Sequence, residues 1–381
     1  MTAPKNVRHH VYLVPGFFGF ANFGDFRYFA HAREHLEAWT RARGIDAVMH
    51  YAPTFPTASL RRRAGRLIEI MSETASYDDG PIHLIGHSTG GLDARLAVAP
   101  RVSLVCGVDP EPLAARVRTV VAVATPHHGA PVAAFFTSLL GQRVLFLLSL
   151  ITIHAIRLGT IPLPALVVLA SALGYAGAGR LVSGGVIQQV YDLVLKDFSP
   201  ERRLQIERVF GEVQRDQTLL TQLTPEALDI FNALATERDG VRRGCVVALA
   251  RPPSFRSQAR VGANPTHQAM YNVFRALYAI SARLDESQLP IPDDAQARAL
   301  IRAYGRVPSA RGNDAMVPTR SQVWGEVVHA AWADHLDVIG HFDAPDRAPL
   351  HVDWMRTMSH FGRREFESMW DDVARFTFEG R

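Results

Sequence analysis

A serine hydroxyl is a weak nucleophile until a neighbouring base takes its proton and a third group orients that base. One serine in this chain stands in a pattern suited to that use: Gly86-His87-Ser88-Thr89-Gly90. Gly-x-Ser-x-Gly fits a sharp turn from strand to helix, because small residues two before and two after the serine let the backbone double back without a clash. The five residues alone would also fit an ordinary turn, so the flanks decide. Ile82 to Ile85 is a short apolar run leading in, and Gly91-Leu92-Asp93-Ala94-Arg95-Leu96 is a helix-compatible stretch leading out. The pattern predicts Ser88 as a nucleophile for acyl transfer.

In strand–turn–helix sites of this kind the acid and then the base follow the serine in chain order. His335 is the candidate base, in Ala333-Asp334-His335-Leu336-Asp337 just after the apolar run Val327 to Trp332. Among 16 histidines, His341 and His351 are its nearest rivals, and His127 and His128 come too early. Asp314 is the candidate acid, in the polar loop Gly312-Asn313-Asp314-Ala315-Met316-Val317-Pro318. The competing reading is that Asp314 only caps a turn, for Asn-Asp is common in turns. Asp285, Asp293 and Asp294 are upstream alternatives. Asp334 and Asp337 flank the base and read as local turn or metal-site residues.

Acyl transfer also needs two N–H donors for the developing oxyanion. One is expected from Thr89, directly after the nucleophile. The other is expected from Phe17, in Val14-Pro15-Gly16-Phe17-Phe18-Gly19-Phe20, where the glycines free the backbone to aim an N–H inward. A plain glycine turn with aromatics packed beneath it is the alternative.

The elements that must position these residues follow from periodicity. Strands are expected at His10–Val14, Ile45–Tyr51, Ile82–Ile85, Val117–Ala124, Cys245–Leu249 and Val327–Trp332. Helices are expected at Phe26–Arg43, Ser59–Thr74, Leu92–Val98 and Arg363–Phe378. Strand–helix alternation at this spacing predicts an α/β fold with a mostly parallel sheet and helices on both faces. Residues 1–131 and 241–381 read as that core. Residues 132–240 read as a helical lid or cap inserted into it.

Composition sets the outer limits. The chain has 381 residues, 48% hydrophobic and 20% charged, which suits a globular protein with a large core. Only Lys5 and Lys196 are lysines, and the remaining 39 of the 41 basic residues are arginines scattered among acids. No dense basic stripe is present, which argues against nucleic-acid binding. Cys106 and Cys245 are too few for a disulfide framework. The apolar run Val11 to Val14 is too short for a secretory leader, so the expectation is a cytoplasmic protein with free thiols.

With these motifs in place, the chain resembles the bacterial true lipases and related α/β-hydrolase esterases. Gly86 to Arg95 is similar to their elbow and the helix after it. Pro15-Gly16-Phe17-Phe18-Gly19 resembles their oxyanion loop, with proline in place of the usual histidine. Thr125-Pro126-His127-His128-Gly129, Leu223-Thr224-Pro225 and Phe231-Asn232 resemble other segments of that family. Asn313-Asp314 and His335-Leu336-Asp337 resemble its acid and base loops. The resemblance implies an α/β-hydrolase fold, a catalytic set of Ser88, Asp314 and His335, and action on carboxylic esters, lipid-like ones included. It also implies a structural calcium at the aspartate two after the base, here Asp337. His341 stands where the family has glutamine, and imidazole nitrogen is a poor partner for a hard cation. The expectation is therefore no cofactor, with calcium the one candidate metal.

Residues 144–179 are almost wholly uncharged, interrupted by Arg157 and by Pro162 and Pro164. Ser88 precedes this stretch and the acid and base follow it, so any membrane crossings must be even in number. The first run, Val144 to Ile156, is shorter than the roughly 20 residues a span needs. A lid, a packed cap, or a shallow hairpin giving membrane-surface contact are the readings left. An acyltransferase using the same residues, and a non-catalytic protein binding a lipid or a partner, are the alternatives to an ester hydrolase.

Overall fold

The computed structural model describes residues 7–17, 27–174, 184–342, 353 and 355–380. Phe18, Gly19 and Phe20 of the glycine loop, the end of the second apolar run (175–179) and the rival base His351 lie outside the described residues.

Six strands form one parallel sheet: β1 (His9–Val14), β2 (Ala47–Tyr51), β3 (Ile82–His87), β4 (Val117–Val123), β5 (Arg242–Ala248) and β6 (Glu326–Ala331). Their order is β2-β1-β3-β4-β5-β6. Side chains alternate between two buried faces, as period 2 demands. Val11, Leu13, Ile85, Val121 and Val123 belong to one apolar cluster, and Tyr12, Val14, Leu84 and Val120 to another on the opposite face.

Helices of ten residues or more link the first four strands. These are α1 (Ala30–Ala42), α2 (Leu60–Ala75) and α3 (Thr89–Val98). Ser59 caps α2 by accepting from the Arg62 N–H, and Leu67, Ile68 and Met71 line its buried face. The short α4 (Glu111–Ala114) precedes β4. Because β1 is followed by β2 on one side and β3 on the other, the chain reverses its winding between β1 and β3. Such a switch point opens a crevice at the carboxyl ends of its strands, where α/β proteins place their sites. Val14 pairs with Gly86, so the exits of β1 and β3 lie side by side there.

Among the described residues seven helices lie between β4 and β5: α5 (Pro131–Phe136), α6 (Leu139–Leu158), α7 (Leu163–Gly174), α8 (Gly184–Leu195), α9 (Pro200–Arg215), α10 (Thr218–Gln222) and α11 (Pro225–Leu234). The first apolar run of the sequence becomes α6. Ser138 caps its start and Gly159, at φ 69°, stops it. Val144, Leu147, Leu148, Leu150, Ile151 and Ile153 are all buried, in the same cluster as one face of the sheet. Pro164 falls in the first turn of α7, where its missing N–H costs nothing. Among the described residues no helix is long and apolar enough to cross a membrane. The remaining helices are α12 (Phe255–Arg260), α13 (Pro265–Ser281), α14 (Asp294–Tyr304) and α15 (Arg363–Phe378), with α7 packed on α13 and α15 on α1.

A buried α6 has a measurable cost of truncation. Leu148→Ala is expected to lower the unfolding free energy by roughly 2–5 kcal/mol, read as a lower urea midpoint at unchanged slope. An unchanged midpoint would mean that α6 faces solvent or lipid.

Candidate active site

Ser88 sits between β3 and α3 with φ 54° and ψ −129°. An L-residue holds positive φ only under strain, and the surroundings enforce it here. A Cβ on Gly86 would lie 2.3 Å from the Gly90 carbonyl oxygen, so only glycine allows the reversal. The Ser88 N–H donates to the Val123 carbonyl at 2.8 Å, which ties the turn to β4.

Beside this turn runs the chain leaving β1. A Cβ on Gly16 would come within 2.5 Å of the Ser88 Cβ. The missing side chain is what lets the Gly16–Phe17 backbone approach the serine. Phe17, Ser88, Thr89 and His335 all line one cavity of about 50 Å³. Its other walls are apolar, with Val132, Ala133 and Phe136 from α5, Leu220 and Leu223 at α10, and Met316 and Val317 from the loop before β6. Ser88 is 8% exposed and His335 3%.

Asp314 and His335 meet by a chain of specific bonds. Asp314 Oδ2 lies 2.8 Å from His335 Nδ1, and both residues are buried. Oδ1 accepts from the Met316 and Val317 N–H groups at 2.9 and 2.7 Å. Gln322 Nε2 donates to Oδ2 at 3.1 Å, while its Oε1 accepts from the Ala248 N–H at 2.7 Å. The carboxylate is thus held by four donors and anchored to the end of β5. The His335 N–H donates to the Asp314 carbonyl at 2.9 Å, so the two loops are joined through backbone as well.

The rival residues lie elsewhere. Asp293 caps α14, Asp294 is in its first turn, and Asp285 heads a short 3-10 turn. His127 Nδ1 is 2.8 Å from Arg95 Nη1, and its ring stacks on Trp324. His341 is buried, edge-on to Tyr28.

Asp334 and Asp337 gather with Asp353 into a cluster with one carboxylate oxygen of each within 4.8 Å of the others. Burial pushes the Asp334 carboxyl up to about 7 and Asp337 well above the ordinary range, and the neighbouring carboxylates add to both shifts. The donor set is all hard oxygen, which suits a calcium ion.

Four features escaped the sequence motifs. Gln322 has no local signal. Tyr28 lies in a short helical turn (Arg27–Phe29) after the glycine loop, and its hydroxyl is 2.7 Å from His87 Nδ1. Arg63 of α2 and Asp93 of α3 form a fully buried ion pair at 2.6 Å beneath the elbow. Arg63 also donates to the Pro56 carbonyl at 3.2 Å and reaches toward Pro15 and Thr89. Asp93 was visible in the sequence only as part of a helix.

No family model matches the chain, and no curated protein sequence does. Solved structures do match. A metagenomic carboxyl esterase is 18% identical over 100% of this chain and 77% of its own, with a TM-score of 0.52. The fold is similar to that of a carboxyl esterase. EstA from Clostridium botulinum is 18% identical over 96% of this chain and 88% of its own (TM-score 0.48). Staphylococcus hyicus lipase is 14% identical over 99% and 97% (TM-score 0.48).

Removing one partner of the Arg63–Asp93 pair leaves a buried charge unmatched. Arg63→Met is expected to cost roughly 3–5 kcal/mol in chemical denaturation, and adding Asp93→Leu to recover much of that loss.

Proposed function

We propose that this protein is a serine hydrolase of the α/β-hydrolase fold that cleaves carboxylic esters, lipid-like esters included. The reading is carried by one observation: the buried 2.8 Å Asp314–His335 bond belongs to a histidine that lines the same cavity as the strained Ser88. The fold-level similarity to a carboxyl esterase agrees with it.

In this mechanism His335 Nε2 takes the Ser88 proton as Oγ bonds to the ester carbonyl carbon. Asp314, held in place by the Met316, Val317 and Gln322 N–H donors, accepts from Nδ1–H and stabilises the imidazolium. The Phe17 and Thr89 N–H groups receive the oxyanion. The proton passes to the departing alkoxide, leaving an acyl group on Ser88. Water then repeats the sequence, with His335 taking its proton, and the acid leaves.

A cavity of about 50 Å³ is far smaller than the roughly 300–1,000 Å³ of ligand sites. We read the structure as a closed form, in which α5 and α10 cover the serine as part of the 132–240 insertion. Their apolar walls favour an acyl chain. The cover must move to admit it.

A fluorophosphonate probe is expected to label Ser88 in the folded protein. Ser88→Ala should abolish both labelling and hydrolysis, and Asp314→Asn should lower kcat by about four orders of magnitude. Absence of labelling would leave a binding protein as the better account. An ester formed from an added alcohol in preference to free acid would point to an acyltransferase.

Asp334, Asp337 and Asp353 are the residues that would hold a structural calcium, which would neutralise the crowded carboxylates behind His335. Without it, the raised carboxyls bind protons in the folded state that the unfolded chain has already released. Stability is therefore expected to fall as pH rises from about 4 through about 7. Calcium should raise Tm more above neutrality than at about pH 5, and Asp337→Asn should remove that response. A calcium response absent at every pH would exclude the ion.

A further inference from the structure

His87, the residue before the nucleophile, is fully buried and makes two hydrogen bonds. Its Nε2 lies 2.9 Å from the carbonyl oxygen of His335. A carbonyl can only accept, so Nε2 carries the proton. Nδ1 must then accept from the Tyr28 hydroxyl, 2.7 Å away. The backbone N–H of Gly16 faces that same phenol oxygen. The polarity runs one way, from Gly16 through Tyr28 and His87 to His335.

Neither side chain is placed to exchange protons with solvent near neutrality. Burial, with His335 adjacent, holds the His87 imidazole well below the usual histidine range, and burial pushes the Tyr28 phenol up. A protonated His87 would have no acceptor left for Tyr28. The array is a fixed strut between neutral groups.

Its ends matter. Tyr28 stands next to the chain leaving β1, with its hydroxyl facing the Gly16 N–H. His335 lies on the loop after β6, at the other side of the cavity. His87 joins the two directly beside Ser88. We propose that Tyr28 and His87 are positioning residues that lock the Gly16–Phe17 loop and the His335 loop into one register around Ser88. The proposal rests on the ester-hydrolase reading. It matters because a misplacement of about 1 Å in such a site costs on the order of 100-fold in rate.

The ordinary alternative is a pair of satisfied core residues that serve stability alone. Steady-state kinetics on the purified chain separates the two. Tyr28→Phe, which removes one oxygen, is expected to lower kcat by about 10- to 100-fold with KM changed less than about threefold. Affinity for an alkyl boronic acid, which mimics the tetrahedral state, should fall by the same factor. His87→Gln keeps an amide N–H for the His335 carbonyl and should retain more activity than His87→Leu. The double variant Tyr28→Phe/His87→Leu should be no worse than His87→Leu alone, because a strut fails as a unit. Multiplied losses, a loss carried by KM, or Gln no better than Leu would overturn the proposal. Where His87→Leu does not fold, Tyr28→Phe decides alone.

Hydrogen exchange reads the coupling without catalysis. Tyr28→Phe is expected to raise exchange in both 15–17 and 333–337. A rise confined to one segment overturns the strut even if the wild type proves inactive. An inactive wild type with coupled exchange would retire the ester reading and leave the strut standing.

Discussion

At the carboxyl ends of β1 and β3 two stretches of backbone pass each other almost without side chains between them. A Cβ on Gly90 would lie 2.2 Å from the Val14 carbonyl oxygen, and one on Gly16 would strike Ser88. This close passage requires the left-handed serine, because no relaxed turn leaves β3 so steeply. It also requires β1 and β3 to be neighbours, which the winding of the sheet supplies. The Asp314 and His335 loops are then built outward from it, against the ends of β5 and β6. The Arg63–Asp93 pair clamps it from below, between α2 and α3.

Much of this was legible in the chain. Each of the six expected strands is present, with boundaries shifted by one to three residues, because an apolar run between turn residues reads the same in sequence and in space. Ser88, Asp314 and His335 were singled out from motif, order and loop position, and in the structure Asp314 touches His335, which lines the same cavity as Ser88. What was not legible depends on partners far apart in sequence. Gln322 looks like any surface glutamine until β5 lies beside it. Tyr28 and His87 are 59 residues apart, and their bond exists only because the turn at Arg27–Phe29 lies against the end of β3. Ala315 carries no sign of the φ of 82° it adopts, a conformation usually left to glycine. The apolar stretch 144–179 was ambiguous for a different reason. Its composition fits lid, cap and hairpin alike; in the structure the first run is buried as α6 against one face of the sheet.

Three buried carboxylate settings lie around the site, and each meets the cost of burial differently. Asp314 is surrounded by N–H donors and needs no cation. Asp93 is matched by a guanidinium in bidentate contact, Arg63 Nε donating to Oδ1 and Nη2 to Oδ2. Asp334 and Asp337 have neighbouring hydroxyl and backbone donors, including Thr357 and Ser359, yet stand beside further negative charge. This last setting puts carboxylates beside carboxylates, and it lies immediately around His335.

The helix α6 has a consequence for how such a chain could be altered. Its apolar face and one face of the sheet belong to a single dry interior, shared with α1, α13 and α15. The residues between β4 and β5 are therefore not a detachable ornament that could be exchanged between relatives or trimmed to a shorter loop. Splicing β4 directly to β5 would leave a wall of valine, leucine and phenylalanine open to water, and a strong tendency to clump would follow. Within that segment α5 and α10 serve twice, since Val132, Phe136 and Leu220 join this interior and also line the cavity beside Ser88.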